Sequence, residues 1–362
     1  MPYAPEPCVP AHDPAVPAPN PRGRHRNSRP FLLLAALASA AALTTTACSG
    51  PGGVELGTDW EGSSTFALAE VDGLVTVVGI DPAEPGAQSL AVVPQQADDD
   101  DSISPHIVRL ADGRWMLSVP RKNGKPDRRY LVNREDHTLD GMTGDERLRR
   151  TLPGRTLVAE VAGLPGADGK SSVLVKNPAD WTTKRELEVS GTIGLAASDP
   201  ASDVVCVAAG NTVSTADLTT GKVTPVPVPK GLTVDQLACP AGHPVVVGAP
   251  ASAASGRVAV SLTRQAAVTT VSVTGARADA VAARGSSIVV AAAKGDDTEL
   301  IEVDANSGKE LHRATVRGMA ASLALTPTSA GWLLYAEDSV TRVDLATGKT
   351  ERFDLPGTLL DS

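Results

Sequence analysis

The sequence predicts an all-β fold, a β-propeller of seven four-stranded blades, and three observations lead there. One turn pattern recurs: Asp217 to Gly221-Lys222, Asp304 to Gly308-Lys309 and Asp344 to Gly348-Lys349 each read Asp, three residues, Gly, Lys. Hairpin markers at Gly86, Asp136, Lys184, Lys222, Gln265, Lys309 and Lys349 follow one another at 38 to 50 residues, about 44 on average. Short runs rich in Val, Ile, Leu and Thr fill the intervals, and sustained helical periodicity is absent after Leu43. A period of roughly 40–45 residues with four strands per unit is that of a propeller blade.

The turn pattern has a chemical reason. An Asp side chain accepts hydrogen bonds from backbone N–H groups ahead of it, and Gly takes the positive φ that closes the turn. Lys then opens an exposed return strand. Gly308 and Gly348 lie 40 residues apart, whereas Gly221 and Gly308 lie 87 apart. A degenerate unit therefore belongs between the latter two, and the alternating runs 257–262 and 268–273 around Arg264-Gln265 supply it. The two last units show their strands most clearly, at 278–283, 287–292, 298–303 and 310–316, then at 322–326, 331–336, 340–345 and 350–355. The first unit offers 65–71, 74–80 and 88–93. Its innermost strand is either 54–60 or the segment 358–360. The second choice closes the ring across the chain and removes exposed strand edges.

The first fifty residues read as an export signal. Arg22, Arg24, Arg26 and Arg29 precede an uncharged apolar run of thirteen residues, 31–43, and a small-residue stretch leads to Cys48. That order is basic, apolar, cleavage site, and the run is shorter than the roughly 20 apolar residues that a spanning helix needs. Thr45-Thr46-Ala47-Cys48 resembles a bacterial lipobox, with Thr45 where an aliphatic residue is usual, a variant of high-GC Gram-positive (actinobacterial) lipoproteins. The resemblance implies cleavage after Ala47 and diacylation (palmitate-type) of Cys48. Two acyl chains suffice for stable anchoring. The expected organisation is a signal peptide over 1–47, disordered or helical, a tether over 48–57 and the propeller over 58–362. The expected location is the extracytoplasmic face of the cell membrane.

Charge and cysteine narrow the classes. The chain has a net charge of −9, which becomes −11 once the four Arg and two acids of the leader are removed. An acidic body excludes nucleic acid as the expected partner, since such binding rests on neutralising phosphates. A domain of about 300 residues also exceeds the usual size of a single core, which stacked repeats avoid. Cys206 and Cys239 are the thiols left after Cys8 and Cys48 are accounted for. A disulfide or two buried free thiols are both open readings.

The Asp-x-x-x-Gly-Lys turn resembles the blades of quinoprotein-dehydrogenase-like propellers, with their pyrroloquinoline-quinone-type repeats. Members of that group carry a Trp three residues after the Lys; here Pro225, His312 and Arg352 stand there. The adjacent cysteine pair that the quinone enzymes use is also missing, so no cofactor is expected. What the resemblance implies is a membrane-anchored scaffold or binding platform, and a monomer is expected.

Candidate chemistry is sparse. Asp98 to Asp101 is a dense acidic run without the spaced Asp-x-Asp-x-Asp-Gly form of a calcium loop, and no metal site is expected. The stretch 121–129, with Arg147, Arg149 and Arg150, reads as a solvated hairpin tip or a basic patch for anionic lipid or wall polymer. His106, His137, His243 and His312 lack metal-ligand spacing, and no Ser occupies a Gly-x-Ser-x-Gly elbow. Trp60, Trp115, Trp181 and Trp332 fall in or beside strands and read as blade packing. The leading expectation is a non-catalytic scaffold for an unknown protein or cell-envelope partner. One alternative is a hydrolase or lyase on glycan, with its site at the propeller centre. Another is a sensor for a small ligand. Three or more Asp, Glu, His or Arg side chains facing the channel would favour the enzyme, and an Ala- and Val-lined channel the scaffold.

Overall fold

The structure, a computed structural model, describes residues 53–84, 86–93, 105–119, 128–142, 150–161, 169–249, 257–264, 267–274, 277–319 and 323–362. Over 257–264, 267–274 and at Arg277 it describes the backbone alone. Among these residues the fold is all-β, a propeller of antiparallel sheets with one 3-10 turn at Pro240–Gly242 and no α-helix.

Sheet one holds β1 (Thr65–Val71), β2 (Leu74–Ile80) and β3 (Ala87–Val92). Sheet two holds β4 (His106–Arg109), β5 (Trp115–Val119), β6 (Arg128–Asn133) and β7 (Thr138–Met142). Sheet three holds β8 (Arg150–Pro153), β9 (Val158–Val161), β10 (Lys170–Lys176) and β11 (Thr183–Ser190). Sheet four holds β12 (Ile193–Ala197), β13 (Val204–Ala209), β14 (Thr212–Asp217) and β15 (Val223–Val226). Sheet five holds β16 (Gln236–Ala238), β17 (Val245–Gly248), β18 (Arg257–Arg264) and β19 (Ala267–Thr274). Sheet six holds β20 (Arg277–Arg284), β21 (Ser287–Lys294), β22 (Asp297–Asp304) and β23 (Glu310–Val316). Sheet seven holds β24 (Ala324–Thr328), β25 (Gly331–Tyr335), β26 (Ser339–Asp344) and β27 (Lys349–Asp354). The last strand, β28 (Thr358–Asp361), returns to sheet one, whose order is β28-β1-β2-β3.

The innermost strand of sheet one is thus the late segment, paired with β1 through Ala69↔Leu359 and Glu70↔Thr358. The competing candidate, 54–60, lies elsewhere: the Gly57 N–H donates to the Ser89 carbonyl, and Val54 and Trp60 are buried. Val54 and Gly57, within the stretch 48–57, thus pack against the rest of the fold, Gly57 on sheet one.

The three repeat turns share one hydrogen-bond pattern. Asp217 Oδ1 accepts from the N–H groups of Thr219 and Thr220, Asp304 Oδ1 from Asn306 and Ser307, and Asp344 Oδ1 from Ala346 and Thr347. Gly221, Gly308 and Gly348 take φ of 81°, 72° and 71°, and each donates its N–H to the Asp carbonyl. The residue before each glycine also contributes. Ser307 and Thr347 hydroxyls donate to their Asp, and the hydroxyls of Thr220, Ser307 and Thr347 accept from the Lys N–H. One marker shifts: the turn before β11 spans 177–182, so Lys184 lies inside the strand.

Burial closes the ring. Seven apolar clusters among the described residues each bridge two neighbouring sheets: one and two around Phe66 and Leu117, three and four around Val173 and Val205, six and seven around Leu300 and Trp332. Others join four to five, five to six, and seven back to one through Tyr335 and Ile80. The smallest, between sheets two and three, has only Leu110, Met116 and Val158 fully inside. A buried ion pair occupies that interface instead. Arg129 on β6 lies 2.7 Å from Glu160 on β9, with exposures of 2% and 0%, and Trp181 Nε1 donates to the same carboxylate at 3.0 Å. Arg129 is therefore internal and leaves the basic surface patch that its sequence neighbours suggested.

Candidate functional site at the ring centre

The first strand of each unit lies at the centre, and together these strands enclose a cavity of about 460 Å³. The cavity has two unlike walls. One is apolar and built from Leu195, Ala196 and Ala197 of β12, Leu237 of β16 and Val281 to Ala283 of β20. The other is polar and carries His106 and Arg109 of β4, Arg150 and Thr151 of β8, and Asp199 beyond β12. The ring centre thus carries both charged side chains and an Ala- and Val-containing stretch.

His106 is the histidine placed at the cavity. Its Nδ1 lies 2.6 Å from Asp361 Oδ2 and its Nε2 3.1 Å from the Thr151 carbonyl oxygen. Both neighbours are hydrogen-bond acceptors. Asp361 Oδ2 also accepts from the Ile107 N–H at 2.7 Å. One imidazole thereby joins the closing strand β28, β4 and β8. Tyr335, fully buried on β25, has its hydroxyl pKa pushed up by burial and further by the charge of Asp361. Asp199 is held from both oxygens, by the N–H groups of Ala201 and Ala241.

The other sequence candidates are dispersed. His137 stacks on Trp60 with centroids 5.9 Å apart, and His312 pairs with Glu302 at 2.8 Å on sheet six. His243 borders a shallow pocket beside the turn of Asp217 and Lys222. Trp115 packs edge-on to Phe66 at 5.5 Å, and Trp332 is buried beneath the Arg284 guanidinium at 4.9 Å. Cys206 of β13 and Cys239 beyond β16 are joined as a disulfide, Cα atoms 5.7 Å apart, which ties sheet four to sheet five. Ala47, Cys48, Asp98 to Asp101, residues 121–127, Arg147, Arg149 and Gln265 lie outside the described residues. Among the described residues, no cluster of three or more His, Cys, Asp or Glu is placed to hold a metal.

Sequence reasoning passed over Arg109, Thr151 and Asp361. The signal available was positional: each falls on the first strand of its 44-residue unit, or on the strand that closes sheet one.

No family model and no curated protein matches this chain. Solved structures do. A 6-phosphogluconolactonase-like protein from Bacteroides uniformis superposes with a TM-score of 0.58 at 10% identity, covering 82% of this chain and 98% of that one. A second such protein, from Bacteroides fragilis, gives 0.58 at 9% identity over 84% and 98%. Apo AztD from Citrobacter koseri gives 0.51 at 11% identity over 82% and 96%. At such identities the likeness is one of fold, and the fold it shows is the β-propeller.

Proposed function

We propose that the protein is a lipid-anchored, extracytoplasmic propeller of seven blades, one per sheet, that binds a protein or cell-envelope partner without catalysing a reaction. The observation that carries this reading is the engagement of His106. With Asp361 beside one nitrogen and the Thr151 carbonyl beside the other, both ring nitrogens already have neighbours within the protein and the imidazole braces three strands. The bracing continues around the ring. Arg134 donates to the Trp60 and Glu61 carbonyls, Arg284 to Thr328, and Arg342 to Pro82 and Ala83, each reaching from one sheet to the next. A ring clamped in this way presents a fixed surface. The lipobox-like Thr45-Thr46-Ala47-Cys48 supplies the anchor, and the repeat turns keep their likeness to quinoprotein-type blades.

The anchor has a direct check. Metabolic labelling with a palmitate analogue should mark the wild-type protein, and Cys48→Ala should lose the label and leave the membrane fraction. Retention of label in that variant would refute lipidation at this residue. For the binding role, cross-linking in intact cells followed by capture from solubilised membranes should return the same partner repeatedly. Repeated capture of nothing would count against it.

The second reading is an enzyme, a hydrolase or lyase on cell-wall glycan. The polar wall of His106, Arg109, Arg150 and Asp199 favours it. Turnover of a glycan that is abolished by His106→Asn with folding intact would replace the scaffold reading.

A further inference from the structure

We infer that the central cavity is a binding site for a small organic oxyanion, a carboxylate or phosphate ester carrying an apolar body. This goes beyond the scaffold role and does not depend on the anchor or on any protein partner. Size comes first. About 460 Å³ falls within the roughly 300–1,000 Å³ typical of small-molecule sites, which combine mostly apolar walls with a few placed polar groups.

Charge gives the class. The protein is acidic, with a net charge of −9, and its bracing arginines are engaged. Arg129 meets Glu160, Arg313 meets Glu299 and Glu310, and Arg342 meets Glu351. Arg134 and Arg284 hold carbonyls of neighbouring sheets. Arg109 and Arg150 differ: both line the cavity, both are exposed, and neither has a carboxylate or carbonyl partner among the described residues. The carboxylates nearby are already served, Asp199 by two N–H groups and Asp361 by His106 and the Ile107 N–H. Two guanidinium groups in the cavity lining thus have no acceptor among the described residues, and planar oxyanions are what such forks bind best.

Placement fixes the orientation. The contact from His106 Nε2 to the Thr151 carbonyl sets β4 beside β8, with Arg150 adjacent to that level. Arg109 lies three residues further along β4, about 10 Å at ~3.3 Å per residue. Arg150 is thus the anchor beside the His106 clasp, and Arg109, further along β4 towards the Gly113 turn, adds a second cation to the lining. The apolar wall of β12, β16 and β20 faces them and receives the uncharged part of the ligand.

Titration calorimetry on the detergent-purified protein, with benzoate, phenyl phosphate and the neutral isostere benzamide, tests this. One equivalent of benzoate or phenyl phosphate should bind, and benzamide should not. Tighter binding of phenyl phosphate would point to a phosphate ester as the natural source, and tighter benzoate to a carboxylate. Arg150→Gln should weaken binding about tenfold, the scale of one charge-assisted contact, and Arg109→Gln, further along β4, should weaken it measurably but less. Arg150→Lys should recover part of the loss, and Arg317→Ala, an exposed arginine away from the cavity, should change nothing. Melting curves without ligand should match wild type in every variant. Benzamide binding as well as benzoate, absence of binding by both anions, or undiminished affinity in the Arg109→Gln/Arg150→Gln double variant would each overturn the proposal.

Discussion

At the residue scale, the repeat turn is a small device with separable parts. The glycine supplies the φ that an L side chain adopts only at a cost of about 1–2 kcal/mol. Gly348 has no atom within 4 Å of the position where a Cβ would sit. Gly348→Ala should therefore show that backbone cost alone in a denaturant titration, and a neutral result would remove the conformational argument. The aspartates make the turns pH-sensitive. Asp217 is held below the usual carboxylate range chiefly by the Thr220 N–H, and Asp344 chiefly by the Thr347 hydroxyl. A carboxylate with a depressed folded pKa stabilises the fold above its unfolded value and loses that contribution as pH falls through the folded value. Stability should decline as pH drops below about 4, near the ordinary Asp value. Asn at both positions should flatten the decline, which melting temperatures across the acid range would reveal. The pattern was legible because its chemistry is local, complete within six residues. The hydroxyl before the glycine escaped notice, since Thr and Ser there look like ordinary turn residues until their bonds to Asp and Lys are seen.

At the element scale, the strands of the last two units were legible to within one or two residues because Val, Ile and Leu alternate between tight turns. The interface between sheets two and three was not. Its apolar cluster is small, and Arg129 with Glu160 fills the gap. Arg129 ends a basic run that reads as a solvated tip, and its partner lies 31 residues away, so nothing local marks it as internal. Removing one member of a buried pair strands the other charge and costs about 3–5 kcal/mol. Glu160→Ala should approach that loss in chemical denaturation. Arg129→Met combined with Glu160→Leu should recover part of it, because the Arg129 charge is then gone, whereas the buried Lys176, 3.8 Å from Glu160, still loses that carboxylate. A single variant as stable as wild type would show that the pair contributes nothing. The channel residues were equally hard to foresee, since Arg109, Arg150 and His106 meet only through the packing of separate strands.

At the scale of the whole molecule, the fold rests on closure. Apolar clusters bind each sheet to the next and the last to the first. The Cys206–Cys239 disulfide staples sheets four and five across 33 residues. Cys206→Ala with Cys239→Ala should cost about 2–4 kcal/mol, as loss of a disulfide of this span generally does, and an unchanged unfolding midpoint would contradict that. The strand that closes sheet one could not be chosen from sequence, because β1 and β28 are nearly the whole domain apart and two apolar segments fitted the vacancy. The backbone geometry makes the choice testable. Glu70 and Thr358 are register partners on exposed positions of β1 and β28, within the Cα spacing that a disulfide tolerates. In the Cys206→Ala/Cys239→Ala background, Glu70→Cys with Thr358→Cys should oxidise readily in the native protein, giving one cross-linked peptide by mass spectrometry. Failure of that bond to form while the protein remains folded would mean the ring is not closed here, and the cavity at its centre would lose its wall.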